Sequence, residues 1–162
     1  MKKIISAALF SMFIVFAVSA KAGPYEDGAA AFARQDYVTA AKLMRLAADQ
    51  GIANAQFNLS LMYKNGRGVT HDYKEAVKWY RLSADQGDPL AQSNLGVSYV
   101  TGQGVTQDYV RAHMWFNIAA SSGNTLAESN RDKVAKKMSQ TQIKKAQKMA
   151  RRCQSSNFKN CD

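Results

Sequence analysis

The chain repeats itself every 36 residues, and this repeat constrains the fold more than any other feature of the sequence. When segment 36–71 is aligned with segment 72–107, nineteen of the 36 positions are identical. A third copy opens at Asp108 and then diverges, although it keeps the Asp-Tyr pair, an alanine, the tryptophan and the glycine at the same offsets. A unit of this length cannot bury its own apolar face, so stacked units must share one continuous core.

The second full copy shows how each unit predicts a pair of helices. Asp72 followed by Glu75 has the pattern of a helix start, and apolar residues then recur at spacings of three and four. Gly87 is placed to end this helix, because glycine adopts the left-handed conformation without strain. Asp88 and Pro89 then begin a second helix, since proline suits the first helical position. No segment of the mature chain alternates with a period of two between turn signals, so we predict no strands.

Further helices are predicted on both sides of the clear copies. Residues 26–34 should form an N-terminal helix. Near the C-terminus, two capping-box patterns predict helices over about 125–138 and 140–153. These patterns are Thr125 with Glu128 and Ser139 with Gln142. The expected architecture is therefore all-α, an α/α solenoid of about eight helices in antiparallel pairs.

The first 22 residues have the three parts of a secretory signal peptide. Two lysines follow the initial methionine, 4–18 is an apolar run, and Ala20-Lys21-Ala22 has the A-x-A cleavage pattern. We therefore expect cleavage between Ala22 and Gly23 and a periplasmic or secreted protein. The alternative is an uncleaved anchor, but the run is shorter than the roughly eighteen residues of a spanning helix. No second run of this kind exists, so we expect no transmembrane segment after cleavage.

Cysteine and positive charge are both concentrated near the C-terminus. Cys153 and Cys161 are the only cysteines, and in an oxidising compartment an even count at short spacing favours a disulfide over two free thiols. Residues 131–162 contain ten Lys and Arg and two Asp, a balance of +8. Residues 23–130 contain nine Lys and Arg and ten Asp and Glu, a balance of −1. The protein is thus a neutral body with a basic tail.

The residues of the unit resemble a known family. The unit reads A-Q-x-N-L-x-x-x-Y-x-x-G-x-G-V-x-x-D-Y-x-x-A-x-x-W-Y-x-x-x-A-x-x-G, which is similar to the Sel-one-like repeat, a relative of the tetratricopeptide repeat. In that family's phase the clear copies span about 55–87 and 91–123, and Asp36 to Gly51 resembles the second helix of a truncated leading copy. The closing segment from Lys137 is similar to that of exported bacterial members. The resemblance implies an interaction scaffold and names no partner.

The domain organisation follows from the leader and the repeats together. We expect a signal peptide over 1–22, a solenoid over 23–153 and a short tail over 154–162. Within the solenoid, 125–153 should be a divergent basic cap, because the end of a repeat array must face water.

The sequence offers few candidates for catalysis or metal binding. His71 and His113 are the only histidines, and no cluster of His, Cys and carboxylates has metal-ligand spacing. We expect each histidine to lie at the surface or half-buried, and we predict no metal and no cofactor. The glycine pairs at 66–68 and 102–104 follow predicted helices, whereas a phosphate loop follows a strand, so we assign these glycines to turns.

A weak hydrolase signal lies in the C-terminal tail. Ser156-Asn-Phe-Lys159 matches the S-x-x-K motif, and some exported relatives in this repeat family are linked to penicillin binding or hydrolysis. Roughly one such match is expected by chance in a chain with this many Ser and Lys. No K-T-G accompanies it, and it lies between the two cysteines. We therefore predict that the protein is not an enzyme.

The candidate binding residues are polar and recur one unit apart. The resemblance implies that the first helix of each pair lines a concave groove. Those helices carry Asn58, Asn94 and Asn130 at one offset, with Gln56 and Gln92 two residues earlier. Asparagine is a weak helix former, so its return at a fixed position needs a reason. It either contacts the backbone of an extended ligand or ties one unit to the next, and both interpretations stay open here.

Two functions compete on these observations. The first is a scaffold that binds a protein or peptide on the concave face. The second is adhesion, in which the basic tail contacts an anionic surface. On the helix that starts at Ser139 the basic residues lie off the apolar stripe, which favours a solvated face. Specific nucleic-acid binding is disfavoured, because an exported protein rarely meets nucleic acid and a basic tail attracts any polyanion.

Overall fold

Eight α-helices follow one another in the computed structural model, which describes residues 22–159 and residue 161. No strand occurs in this part of the chain, and the predicted all-α architecture is confirmed. Residues 1–21, most of the predicted leader, lie outside the described residues. The helices are α1 (Pro24–Ala33), α2 (Tyr37–Asp49), α3 (Ala53–Asn65), α4 (Tyr73–Ala84), α5 (Pro89–Thr101), α6 (Tyr109–Ser121), α7 (Thr125–Ala135) and α8 (Gln140–Ser155).

The helices pack as pairs that stack along the chain. α1 packs against α2, α3 against α4, and α5 against α6, and each pair contacts the next through α2 with α3, α4 with α5, and α6 with α7. Trp79 lies on α4 but is buried in the cluster built by α1, α2 and α3. Its indole therefore fills the seam between two units, and Trp115 is fully buried one unit later.

The turns between the helices of a pair explain the recurring G-x-G. Gly102 ends α5 in the left-handed conformation with φ at 71°, which only glycine adopts freely. The second glycine has a different role. A Cβ on Gly104 would collide with the carbonyl group of Tyr73, at the start of α4 in the unit before. Gly68 meets the carbonyl of Tyr37 in the same way, so the second glycine sets how closely neighbouring units approach.

The leading unit keeps both of its helices and is shortened in the turn between them. Residues 34–36 join α1 to α2, whereas 66–72 and 102–108 join the later pairs, a difference of four residues. Gln35 takes the left-handed conformation there, with φ at 65°. The N-terminal helix predicted over 26–34 is thus the first helix of the leading unit.

The N-cap of α7 differs from the prediction, although the helix begins at Thr125 as expected. Asn124, and not Thr125, caps this helix: its side-chain oxygen accepts a hydrogen bond from the backbone N–H of Ala127 at 2.9 Å. The helix ends at Ala135, three residues earlier than predicted, because the chain turns before Ser139 starts the next helix. The capping box of α8 is confirmed, with Ser139 and Gln142 exchanging hydrogen bonds of 2.8 and 3.2 Å.

α8 closes the C-terminal end of the core. It packs against α6 and buries Ala146, Ala150 and Cys153 there. Cys153 and Cys161 are joined by a disulfide with Cα atoms 4.7 Å apart, as predicted. The loop between them carries Phe158 to the turn at Gly87, where a Cβ on the glycine would lie 3.1 Å from the ring. None of the helices in the described chain has the length and apolar character needed to cross a membrane.

Candidate binding clefts

Two clefts open on one side of the solenoid, the side formed by α1, α3, α5 and α7, which we call the first-helix face. The first cleft has a volume of about 200 Å³ and lies where α1, α2 and α3 meet. The second has a volume of about 240 Å³ and lies where α5, α6 and α7 meet. Both are floored by apolar side chains and edged by polar ones, which is the usual composition of a small binding site.

The two clefts are the same site, repeated two units apart. Five lining positions of the first recur 72 residues later in the second, which is twice the 36-residue repeat. They are Met44 and Phe116, Asn58 and Asn130, Leu61 and Lys133, Met62 and Val134, and Asn65 and Lys137. Ala29 and Phe32 on α1 correspond to Val97 and Val100 on α5 with an offset of 68, because the first turn is four residues shorter.

The clefts differ in charge. Arg67 lies at the first cleft, with its guanidinium carbon 5.8 Å from the ring centre of Phe32. The second cleft carries two ammonium groups, on Lys133 and Lys137, at positions where the first has leucine and asparagine. Lys137 is held at the edge, with its ammonium 5.7 Å from the ring centre of Tyr109.

The structure brings two of the five predicted site residues to the clefts. Asn58 lines the first cleft and Asn130 the second. Asn94 lies on α5 between them, where its Nδ2 donates to the carbonyl of Leu90 at 2.9 Å. Its side-chain oxygen accepts from the hydroxyl of Tyr80 at 3.5 Å. Burial raises the pKa of Tyr80 to about 12, so the hydroxyl keeps the proton it donates.

The two glutamines point into the fold and away from the clefts. Gln56 and Gln92 are 4% and 0% exposed. Each donates from Nε2 to a carbonyl near the end of the preceding helix, at 3.1 Å to Ala48 and 3.2 Å to Ala84. They therefore tie the first helix of one unit to the second helix of the unit before.

His113 is buried, with 3% of its surface exposed, contrary to the expectation of a surface or half-buried site. It occupies the position of Val77 in the preceding unit, on α6, which packs against α7. Burial lowers its pKa, and the positive charge of Arg131 lowers it further, while Asp132 acts in the opposite direction. His71 lies exposed in its turn, with its ring centre 4.3 Å from that of Tyr73.

The described residues hold no arrangement that points to chemistry. Among them, no group of three or more His, Cys, Asp and Glu could hold a metal ion. Ser156 caps the end of α8, and its hydroxyl oxygen lies within hydrogen-bond distance of the carbonyls of Cys153 and Lys159, at 2.8 and 2.6 Å. A nucleophilic serine would need a neighbouring base, whereas this hydroxyl is bonded to backbone carbonyls.

Sequence reasoning found the asparagines but missed the rest of each cleft. The aromatic and aliphatic floor and the two lysines, Lys133 and Lys137, were not identified, because nothing in one unit says which residues face a gap between units. The sequence did contain a signal for the lysines. Leu61, Val97 and Lys133 occupy equivalent positions in successive 36-residue units, and the change from apolar to charged at this position distinguishes the last unit.

These observations define a class of protein, an α/α solenoid of short helical units that presents equivalent surfaces along one face. A family model described as Sel1 repeat matches three consecutive segments, 20–52, 53–88 and 89–124. The chain belongs to the Sel1 repeat family of helical scaffolds. No match was found among curated proteins.

Two solved structures are similar to this chain. One is a protective antigen present in uropathogenic Escherichia coli strains, with an SLR fold. It matches with a TM-score of 0.78 and 31% identity over 83% of this chain and 31% of its own. The other is a Sel1 repeat protein from Oxalobacter formigenes, with a TM-score of 0.56 and 38% identity over 58% of this chain and 39% of its own. The chain thus spans about a third of the length of these relatives.

Proposed function

We propose that this protein binds an extended peptide segment of a protein partner across its first-helix face, and that it does so without catalysing a reaction. The observation that carries the proposal is the recurrence of one cleft two units apart, with an asparagine in the same place in both. An accidental gap between helices would not be expected to recur two units later with the same apolar floor and polar edge at equivalent positions.

The contents of each cleft support this ligand class. An apolar side chain can occupy the floor formed by Met44 or Phe116, and burial of such a group contributes about 1.5–3 kcal/mol. The amides of Asn58 and Asn130 each offer a donor and an acceptor to a peptide bond of the ligand. With helix spacings of about 10 Å, two units place the clefts on the order of 20 Å apart. An extended peptide covers that distance with about six residues.

The proposal is tested by selecting ligands from a random twelve-residue peptide library. The target is the full mature chain with its Cys153–Cys161 disulfide intact. We expect peptides with an apolar anchor and a second shared position about six residues from it. Their affinities should fall at least about tenfold in Asn65→Trp, which fills the edge of the first cleft.

Gln147→Trp is the matched control, because Gln147 is exposed on α8 and belongs to neither cleft. It should leave the affinities unchanged. If no peptide is enriched, or if the enriched peptides bind both variants as tightly as the unaltered protein, the first-helix face is not the binding site.

We also propose that the protein lies outside the cytoplasm, in the periplasm or secreted. The A-x-A pattern at the end of the leader supports export, and the disulfide suits an oxidising compartment. N-terminal sequencing of protein recovered from the cell envelope and the medium tests this. Gly23 should be the first residue, and retention of Lys2 and Lys3 would contradict both the cleavage site and the location.

A second candidate, contact with an anionic surface, is favoured by one observation on α8. Lys144, Lys145, Lys148, Arg151 and Arg152 are all exposed, and within the described residues none of them forms an ion pair. This face lacks the large apolar residues of a strong membrane anchor. Co-sedimentation with phosphatidylglycerol vesicles at physiological salt distinguishes the two, since binding driven by this face should fall steeply as salt rises.

A further inference from the structure

The two clefts share their geometry but differ in charge at equivalent positions. Leu61 and Asn65 at the first cleft become Lys133 and Lys137 at the second, while the asparagine stays the same. A ligand that spans both clefts therefore meets two different environments at its two ends. This difference allows the chemistry of one end to be inferred.

The lysine charges at the second cleft are not neutralised by α7, which carries Lys133 and ends two residues before Lys137. α7 carries two carboxylates, on Glu128 and Asp132, and Arg131 pairs with both, at 3.5 and 2.9 Å. Within the described residues, Lys133 and Lys137 form no ion pair. The second cleft thus has two uncompensated positive charges at its edge.

The surroundings of these charges differ from those of the α8 cations. The floor of the second cleft is formed by Val97, Val100, Phe116 and Val134. An anion held between this floor and the two ammonium groups is partly removed from water, which strengthens the attraction over that at a fully solvated face. The cations of α8 line neither of the two clefts.

We infer that the second cleft is a carboxylate subsite: it takes an acidic group of the bound peptide between Lys133 and Lys137, while Asn130 bonds the adjacent peptide group. This inference rests on the proposed binding across the first-helix face. The first cleft has a single lining cation, Arg67, whose guanidinium stacks on the rings of Phe32 and Tyr37. That cleft takes the uncharged apolar residue, so the ligand binds in one orientation. The carboxylate comes either from an Asp or Glu side chain or from the C-terminus of the ligand.

The inference is tested with the peptides enriched on the unaltered protein. We expect an acidic residue, or a free C-terminus, about six positions from the apolar anchor. Replacing Glu by Gln in the peptide, or amidating its C-terminus, identifies which source supplies the carboxylate. The matching change should weaken binding about tenfold, as expected for a charge-assisted bond in a partly desolvated site.

Substitutions in the protein provide a second test of the carboxylate subsite. Lys133→Met with Lys137→Met keeps the apolar stems and removes both charges, and should weaken the same peptides about tenfold. In this variant, removing the carboxylate from the peptide should weaken binding by less than about twofold, because the lysines that the carboxylate contacts are already absent. Lys144→Met with Lys145→Met removes the same net charge from α8 and should leave affinity unchanged.

The outcomes separate this inference from the proposed function. Peptides that are sensitive to Asn65→Trp but show no acidic preference, and bind the Lys133→Met/Lys137→Met variant unchanged, overturn the carboxylate subsite alone. Equal losses in the two lysine variants would show a non-specific charge effect and also overturn it. If no peptide is enriched, the proposed function fails and the subsite with it.

Discussion

The side-chain amide of Gln92 donates a hydrogen bond to the carbonyl oxygen of Ala84, 3.2 Å away, and so joins α5 to the end of α4. Gln56 makes the same bond to Ala48 one unit earlier. The two sites differ at the other end of the amide. The Oε1 atom of Gln56 accepts from Gln86 at 2.8 Å, whereas the buried Oε1 of Gln92 has no hydrogen-bond partner in the described chain.

This difference predicts unequal costs for the same substitution. Gln56→Met removes two satisfied hydrogen bonds and should lower the free energy of unfolding by about 1–2 kcal/mol. Gln92→Met removes one bond and also a buried oxygen without a partner, so it should cost less than about 1 kcal/mol. Urea unfolding measures both. Peptide affinity per folded molecule should be unchanged in each, and a specific loss of affinity would assign these glutamines to the ligand.

The asparagines should divide into two groups. Asn58→Ala and Asn130→Ala should weaken peptide binding with little change in stability, because both residues line clefts. Asn94→Ala should instead cost about 0.5–1.5 kcal/mol of stability, since its side chain bonds to Leu90 and Tyr80. Thermal unfolding and peptide titration of the three variants test this. A drop in melting temperature for all three, with affinity falling only in proportion to the unfolded fraction, would assign all the asparagines a structural role.

His113 should make the stability depend on pH. In the unfolded chain the imidazole takes up a proton near pH 6.5, while burial lowers the pKa of His113 in the folded chain. As the pH falls below about 6.5, the unfolded state binds more protons than the folded state, so the free energy of unfolding decreases. His113→Val, which copies Val77, should remove this decrease, and His71→Gln should not. Urea midpoints between pH 7.5 and 5 would contradict the assignment if His113→Val kept the slope of the unaltered protein.

Gly102 and Gly104, the two glycines of the turn between α5 and α6, should respond differently to substitution by alanine. Both have positive φ, 71° for Gly102 and 77° for Gly104, so alanine costs about 1–2 kcal/mol at either for the left-handed conformation alone. At Gly102 no atom lies closer than 3.6 Å to the added Cβ, whereas at Gly104 the Tyr73 carbonyl must move. We expect Gly104→Ala to cost about 3 kcal/mol or more in urea unfolding. Equal losses would mean that the units can separate without penalty.

The disulfide should stabilise the closing helix. Replacing Cys153 and Cys161 by serine opens a ring of about nine residues, for which the loop-entropy relation gives a loss of about 2–3 kcal/mol. The contact of Phe158 with Gly87 should weaken at the same time, because the bond holds that loop. Thiol counting under denaturing, non-reducing conditions checks the pairing itself, and two reactive thiols would rule it out.

Helix positions were predictable from the sequence because caps and spacing are local. Ser139 and Gln142 identified the start of α8 for this reason. The N-cap of α7 was misassigned because Asn124 and Thr125 are both good capping residues, and only the backbone geometry decides between them.

The surface that α8 covers could be predicted from the sequence, but only by comparing the residues of α6 with the equivalent residues of α4. Met114 and Ile118 are fully buried on α6, the helix that α8 packs against. The equivalent residues of α4 are Lys78, which is exposed, and Leu82, which is 41% exposed. A helix that becomes apolar on its outer side indicates a covering element. The clefts could not be predicted in this way, because their shape depends on how neighbouring units are spaced.

The contacts of α8 also limit where an array of this kind can grow. The main contacts are with α6 and, through Phe158, with the turn at Gly87, and both of these lie after Asp72 in the chain. A duplicated unit inserted just before Asp72 would therefore leave the packing of α8 at the C-terminal end intact and would lengthen the first-helix face by one helix. Duplication of single units within the chain thus changes the length of ligand that such a protein accommodates, one helix pair at a time, while the carboxylate subsite stays next to α8.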